Sequence, residues 1–377
     1  MINTYCIEEY KENTRAELTQ EINQKIKIYL DTKYWIEICN HIQKNEENNA
    51  ISRIYNLLKE GVKSNKIICP ISYRVFIEIM KQTDIESLSI TAKIIDELSM
   101  GYMIRKENEL LEHEVYTFLL STLKITTTIE NATFTFLSLL DIYGIHLPYS
   151  DIFSQQENFI LQKTFIDEER NKSLVGIVNK IDTKEQTIFN NHIMDIEAFN
   201  VNKKLHNKNY NTLHQLYMIE ITGSIEQYMD VVKSAFKKFI LKKAELEKID
   251  LSTDKGNTSI IPILNMLKYF LDKNIENTEL PSLDIPSMLH AKIRWNTTQK
   301  YKKGDFNDIW HTSLALPHYD YFFTERSLHN MIKECKYDEK YNCKVVSNNN
   351  EIMTIIESIN QVNIDKPQPK TTLTKEN

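Results

Sequence analysis

Glycine is scarce in this chain, at 7 of 377 residues. Neither a G-x-x-x-x-G-K-[ST] segment nor a G-x-G-x-x-G segment occurs in the sequence. Such loops let backbone amides approach a phosphate closely, so their absence argues against binding of ATP or NAD by these two devices. Any functional site has to be sought among other residue types.

Cysteine is also rare, with 5 scattered residues and no C-x-x-C pair. An odd number of isolated thiols is typical of a reducing compartment and not of a disulfide framework. The segment Met1 to Gln24 is rich in charge and lacks the apolar run of a secretory signal. The longest apolar stretch, Ala132 to Leu140, falls short of the roughly 20 residues that a membrane helix needs. We therefore expect a cytoplasmic protein that does not span a membrane.

The net charge of −6 gives no global attraction for nucleic acid, but basic residues are clustered locally. Between Asp284 and Asp305 there are no acids, and bases alternate with aromatic residues. This run could bind a phosphate backbone, or it could be a solvated helix face and loop. Its members are Lys292, Arg294, Trp295, Lys300, Tyr301, Lys302 and Lys303. A second basic stripe at helical spacing, which we interpret as a solvated face, comprises Lys233, Lys237, Lys238, Lys242 and Lys243.

Hydrophobic periodicity predicts an α/β chain interrupted by a helical region. Strands are expected at Lys25–Leu30, Lys66–Ile71 and Tyr102–Arg105, and again at Tyr321–Thr324 and Lys344–Ser347. The predicted division is residues 1–105 for the first half of an α/β core with a leading helix, 106–280 for an all-α insertion that includes a helix at Asn131–Tyr143, 281–360 for the second half of the core, and 361–377 for a disordered tail.

Five acids lie where strands and helices of that core are expected to end or begin: Asp31, Glu78, Asp305, Asp308 and Glu325. Ligands of open α/β sheets bind beyond the carboxyl ends of the strands. Two carboxylates ~4 Å apart repel by roughly 4 kcal/mol at an effective dielectric of 20, so a cluster needs cations or protons. An all-oxygen site suits Mg²⁺ or Mn²⁺. Asp320 precedes its strand, at the opposite edge, and is expected to be structural.

Each acid also has a structural alternative. Asp31 and Asp305 could each cap the helix that follows. Glu78 could pair with Arg74 one turn earlier. Asp308 and Glu325 could be first-turn acids favoured by a helix dipole. His311 lies on a similar face to Asp308 and is more simply a packed or hydrogen-bonded core histidine than a metal ligand.

Three segments resemble PIN-domain nucleases, in particular the larger bacterial PIN-like proteins. They are Ile28-Tyr29-Leu30-Asp31-Thr32, then Pro70-Ile71-Ser72 with Phe76-Ile77-Glu78, and the block from Gly304 to Arg326. The resemblance implies a parallel-sheet core with catalytic acids Asp31, Glu78, Asp308 and Glu325, Asp305 nearby, and one or two Mg²⁺ or Mn²⁺ ions. Two departures are Glu325, where the family usually has Asp, and the long helical stretch between Glu78 and Asp305.

The resemblance implies a metal-dependent endoribonuclease. In the mechanism that we expect, Asp31 and Asp308 hold the principal ion, and Glu78 and Asp305 complete or orient its shell. By proximity in sequence, the candidates to hold the scissile phosphate of the RNA are Lys300, Lys302, Lys303 and Arg326. The family also suggests a toxin or phage-defence effector, and the helical insertion could bind RNA, a protein regulator or a second copy of the chain. A non-catalytic PIN-like scaffold and a DNA-directed nuclease with the same metal chemistry remain alternatives.

Overall fold

The computed structural model describes residues 6–44, 49–125, 132–138, 142, 144–180, 195–206, 209–248, 261–273 and 278–362. Within these ranges the chain is mostly helical, with a small parallel sheet. Almost all of the tail predicted to be disordered lies outside the described residues.

The strands are short and apolar, and most of their residues are buried. Their bounds are Ile26–Leu30 (β1), Ile67–Ile68 (β2), Tyr102–Ile104 (β3), Phe134–Phe136 (β4), Tyr321–Phe323 (β5) and Lys344–Val346 (β6). Four of them form one parallel sheet in the order β2-β1-β5-β6. Burial on both faces explains why β1 and β5 are almost continuously hydrophobic.

The helices of the first half of the chain are Ile7–Ile22 (α1), Thr32–Lys44 (α2), Ala50–Lys63 (α3), Tyr73–Met80 (α4), Ile85–Ser99 (α5), Glu107–Thr122 (α6), Gln155–Glu169 (α7) and Leu174–Val178 (α8). Those of the second half are Ile196–His206 (α9), Leu213–Gln227 (α10), Met229–Glu247 (α11), Ile261–Lys273 (α12), Pro281–Trp295 (α13), Asp305–His318 (α14), Arg326–Glu334 (α15), Tyr337–Lys340 (α16) and Asn349–Gln361 (α17).

Strand β4 corrects the expectation of an all-α insertion. Phe134–Phe136 is not helical as predicted but pairs antiparallel with β3, Tyr102 opposite Phe136 and Ile104 opposite Phe134. The alternation of threonine with phenylalanine suits a pleated strand, and the β propensity of these residues outweighs the helical spacing of the apolar positions. The pair of strands β3 and β4 lies outside the four-stranded sheet. A bridge between Met103 and Ile71 links β3 to the residues that follow β2.

Two hydrophobic cores share helices. The larger core surrounds the parallel sheet, and the smaller one joins α6, α10, α11, α12 and α13. Helix α13 supplies Leu289 and Ile293 to the first core and Leu283 and Ala291 to the second. The helical region is thus packed directly onto the element that precedes the predicted site. In the described ranges, no helix has the length and apolar character required to cross a membrane.

Candidate metal and nucleic-acid site

Asp31 lies directly after β1, at the carboxyl edge of the parallel sheet. Its amide continues the ladder by donating to the Phe323 carbonyl at 3.0 Å, and its Oδ2 accepts a bond from the Thr324 hydroxyl at 2.7 Å. Its Oδ1 also accepts a long bond of 3.3 Å from the amide of Lys33, so helix capping is only a minor part of its role. The pairing of β1 with β5 therefore brings Asp31 beside the segment that carries Glu325.

Asp305 and Asp308 lie in the first turn of α14, as the sequence predicted. The Asp305 carboxylate does not cap the helix, since its Oδ2 accepts from the amide of Lys302 at 2.8 Å and closes the preceding turn. In the described part of the chain, the carboxylate of Asp308 accepts no hydrogen bond, and only its backbone amide and carbonyl are bonded. Asp308 is thus the acid of this group that is least committed to a structural bond.

The electrostatics of Asp308 indicate an excess of negative charge. Burial, together with the charges of Asp31 and Glu325, raises the pKa of Asp308 to about 7, and Asp305 acts in the same direction. His311 opposes this effect. A carboxyl group in such surroundings binds either a proton or a cation at neutral pH.

Asp305, Asp308 and Glu325 line an open cleft of about 750 Å³, which we call the acidic cleft. Its other walls carry amide, cationic and aromatic side chains, including Lys292, Trp295, Asn296, Gln299, Lys302 and Asn330. Trp295 is 43% exposed, although it is a large apolar residue. One cleft therefore combines carboxylates, cations and an exposed aromatic ring, which is a suitable lining for a nucleic acid strand.

Glu78 belongs to a buried hydrogen-bonded chain behind the cleft. Its Oε2 contacts His311 Nε2 at 3.0 Å and accepts a hydrogen bond from the hydroxyl of Thr32. Its Oε1 accepts one from the side-chain amide of Asn307. Arg74, the partner in the structural alternative for Glu78, instead pairs with Glu107 at 2.5 Å. Both oxygens of Glu78 are occupied, which favours a role in orienting neighbours.

His311 holds Glu78 from a fully buried position. Burial acts to lower the pKa of His311, but the hydrogen bond and the charge of Glu78 raise it above its ordinary value. Burial acts to raise the pKa of Glu78, but the bond with His311 leaves it below its ordinary value. The chain continues from His311 Nδ1 to the Tyr29 hydroxyl at 2.6 Å and on to Ser72 Oγ at 2.7 Å. His311 is therefore the hydrogen-bonded core histidine that the sequence favoured.

Glu325 is the N-cap residue of α15, but its side chain does not cap the helix and instead accepts a bond from the Ser327 hydroxyl. Among the predicted phosphate-binding residues, only Lys302 lines the acidic cleft. Lys300, Lys303 and Arg326 are exposed and lie outside its recorded lining. Asp320 is structural as expected, since its Oδ2 accepts from the amide of Lys27 at 2.9 Å.

The acids have the donor atoms that a divalent cation prefers, but their side chains are not arranged around a common point. The oxygens of Asp31, Asp308 and Glu325 are the donors that Mg²⁺ and Mn²⁺ prefer, and the raised pKa of Asp308 reflects charge that a cation would neutralise. In the arrangement seen here, the described residues contain no group of three or more His, Cys, Asp or Glu side chains placed to hold an ion. Binding would require side-chain rotation.

Sequence reasoning missed the uncharged members of the site. Thr32, Asn307 and Thr324 bind the acids, and Asn296, Gln299 and Asn330 line the cleft. Side chains of this type occur throughout any sequence without a distinguishing pattern. Only their spacing from Asp31, Asp308 and Glu325, at one or two residues in some cases, could have suggested them.

A second cavity, of about 280 Å³, lies between α1, β4 and α7. Three of its cations have acidic partners: Arg15 pairs with Glu12 at 2.9 Å and Glu109 at 3.2 Å, Lys11 with Glu8 at 3.2 Å, and Arg170 with Asp167 at 3.9 Å. The acidic cleft is the better candidate because its Asp308 carboxylate lacks such compensation.

Comparison of the chain with protein-family models, with curated proteins and with solved structures found no match. The functional assignment therefore rests on the site itself.

Proposed function

We propose that this protein is a divalent-metal-dependent nuclease that hydrolyses phosphodiester bonds in RNA. The observation that carries the proposal is the acidic cleft, where Asp308, with its pKa raised to about 7, shares one open surface with Lys302 and the exposed Trp295. Excess negative charge alone would repel nucleic acid, so these groups make chemical sense together when a cation joins them.

In this proposal Asp31, Asp308 and Glu325 hold the cation, and Asp305 and Glu78 orient the surrounding groups. When bound, Mg²⁺ or Mn²⁺ would activate water and neutralise charge on the phosphate oxygens. Lys302 attracts the phosphate backbone, whereas the nearby Lys292 is paired with Glu334 at 3.2 Å. Trp295 provides a face on which a base can stack.

Glu78 contributes by holding the first turns of two helices together. Through Asn307 it contacts α14 next to Asp308, and through Thr32 it contacts α2 next to Asp31. The buried His311 fixes the Glu78 carboxylate in that position. This bracing keeps the segments that carry Asp31 and Asp308 at a constant separation, so that side-chain rotation alone has to bring the two acids to one ion.

The test is cleavage of a labelled RNA and of a DNA of the same sequence by the purified protein with Mg²⁺, Mn²⁺ or EDTA. The Asp31→Asn, Asp308→Asn double variant should lose metal-dependent cleavage of RNA by at least about a thousandfold. Asp320→Asn is the matched control, because it makes the same chemical change at the opposite edge of the same sheet.

Cleavage of DNA alone would replace RNA with DNA as the substrate. Absence of cleavage of either polymer by a folded protein, under every metal, would contradict the nuclease proposal and favour a PIN-like scaffold that binds a partner.

A further inference from the structure

Helix α9 lies against the segment that forms one wall of the acidic cleft. This helix belongs to the region between the two halves of the α/β core, far from the acids in sequence. The wall segment, residues 296–302, follows the end of α13 and carries Asn296, Gln299 and Lys302 into the cleft. It contains no helix or strand, so side-chain contacts must fix its shape.

Lys203 of α9 supplies the central contact. Its side chain is buried, and its ammonium donates to the carbonyls of Ile293 at 2.5 Å, Asn296 at 2.6 Å and Gln299. An ammonium has three donors, so its capacity is fully used. The Ile293 carbonyl lies in the last turn of α13, where carbonyls lack intrahelical partners and a cation is favourable.

Asn200, nearly one turn before Lys203, binds the other end of the same segment. Its Oδ1 accepts from the amide of Tyr301 at 2.8 Å, and its Nδ2 donates to the Tyr301 carbonyl at 3.1 Å. Phe199 adds ring contacts with Tyr301 and Phe306, at centroid separations of 5.9 and 4.8 Å. Both ends of the wall segment are thus tied to one helix.

We propose that Lys203 is a positioning residue that shapes the substrate-binding wall of the acidic cleft, with Asn200 as its partner. The inference rests on the proposed function for its consequence, namely that the wall binds the phosphate backbone. The clamp itself stands on contacts that do not depend on catalysis. Because the acids lie on α14 and at the sheet edge, loss of the clamp should impair substrate binding much more than the chemical step.

The first experiment compares Lys203→Met with Lys204→Met, an exposed neighbour on the same helix. The readout is quenching of tryptophan fluorescence by acrylamide, with Trp295→Phe used to subtract the other tryptophans. Trp295 adjoins the wall segment and is 43% exposed, whereas Trp35 is 1% exposed. Lys203→Met should change the quenching of Trp295, and Lys204→Met should not.

The second readout uses RNA. Binding of a short labelled RNA, measured in the cleavage-deficient Asp31→Asn, Asp308→Asn background, and the KM for its cleavage, measured in the wild-type background, should each worsen by roughly tenfold when Lys203→Met is added, as expected for lost bonds to a charged donor, while kcat stays within about twofold. Thermal unfolding checks that each variant is folded. If Lys203→Met does not fold, Asn200→Ala takes its place, with the exposed Asn202→Ala as its control.

Unchanged quenching of Trp295 in a folded variant would overturn the clamp, whatever the enzyme activity. A fall in kcat as large as the rise in KM, with both in proportion to the lost stability, would also overturn it. That pattern indicates a general structural role. Altered quenching in a protein that cleaves no RNA would support the clamp and contradict only the nuclease proposal.

Discussion

Two acids of this protein, the buried Asp284 and the half-buried Asp308, have opposite surroundings. Asp284 of α13 is surrounded by donors: its Oδ1 accepts from Tyr217 at 2.9 Å and Tyr337 at 2.8 Å, and its Oδ2 from Lys340 at 2.6 Å and Tyr341 at 2.7 Å. We call these five residues the Asp284 cluster. Asp308 in the acidic cleft faces other carboxylates instead.

The difference is the one expected between a structural acid and an acid that binds a ligand, the role proposed for Asp308. The Asp284 cluster joins α10 of the helical region to α13 and to the segment around α16, and each of its four partner side chains donates a hydrogen bond to the carboxylate. A buried acid with this many donors stabilises the fold. The acidic cleft has carboxylates that repel one another, which costs stability and is tolerated where a ligand is bound.

The largest effect is expected from removing the Asp284 carboxylate. Asp284→Ala leaves Lys340 and three tyrosine hydroxyls without their acceptor in a buried site, so the free energy of unfolding should fall by about 3–5 kcal/mol. Urea denaturation followed by circular dichroism measures this loss. A change below about 1 kcal/mol would show that the cluster is not structural.

The next effect concerns pH and a third acid, Glu114 of α6. Its carboxylate accepts from the amide and the hydroxyl of Ser282, at 3.0 and 2.7 Å, in the first turn of α13. Burial raises the pKa of Glu114 to about 8 from an ordinary value of 4.5, and the bonds from Ser282 only partly oppose that rise. Glu114 is therefore an acid with donors that still carries a proton at neutral pH.

The sign of the pH dependence follows from this shift. Between about pH 4.5 and 8 the folded protein holds a proton on Glu114 that the unfolded chain has released, so stability is highest below this range and falls as the pH rises through it. Glu114→Gln should remove on the order of 2–4 kcal/mol of that decline. The control is Glu112→Gln on the same helix, which should keep the wild-type slope in urea denaturations at pH 5 and 8. Equal slopes for wild type and Glu114→Gln would contradict the prediction.

These acids also show what the sequence could predict. Asp31, Asp305, Asp308 and Glu325 were identified because strand ends and helix starts are local features, and the four-stranded sheet does place them near one edge. In the sequence, Asp284 stands out only as the boundary of a basic run. Its partners Tyr217, Tyr337, Lys340 and Tyr341 lie 53 to 67 residues away along the chain, so no local pattern could indicate the cluster.

The same reason explains two features of local structure. The ion pair of Glu78 with Arg74, raised as the structural alternative for Glu78, follows a valid helical spacing, but Arg74 contacts Glu107 and the ring of Trp310, at 4.9 Å from its centroid. Strand β4 exists because β3 offers a partner for Phe134–Phe136. In both cases tertiary contacts override a local preference.

The third prediction is a gain in stability, in contrast to the loss expected for Asp284→Ala. Asp308→Asn removes a like charge from the acidic cleft and should raise the free energy of unfolding by about 1 kcal/mol in EDTA at neutral pH. The same variant should bind Mn²⁺ at least about tenfold more weakly by isothermal titration calorimetry. Asp320→Asn should leave Mn²⁺ binding unchanged. A destabilised Asp308→Asn protein would mean that this carboxylate, like Asp284, has a structural role.

The smallest effect is expected where charges are already compensated, on the basic stripe of α11. Lys238 pairs with Glu112, and Lys242 and Lys243 pair with Glu245 and Glu247 at 3.0 and 3.9 Å, as expected for a solvated face. Lys238→Met should therefore change stability by no more than about 0.5 kcal/mol and should leave RNA affinity unchanged.

Lys302→Met makes the same substitution in the acidic cleft, so the pair of variants tests location and not charge. Lys302 faces the cleft, and loss of one phosphate contact should weaken RNA binding several-fold and reduce the slope of log affinity against log salt by about 1. Fluorescence anisotropy with labelled RNA over a range of salt concentrations measures both. If Lys238→Met and Lys302→Met lower the salt-dependence slope equally, RNA binds by overall charge. That result would contradict the acidic cleft as the binding site.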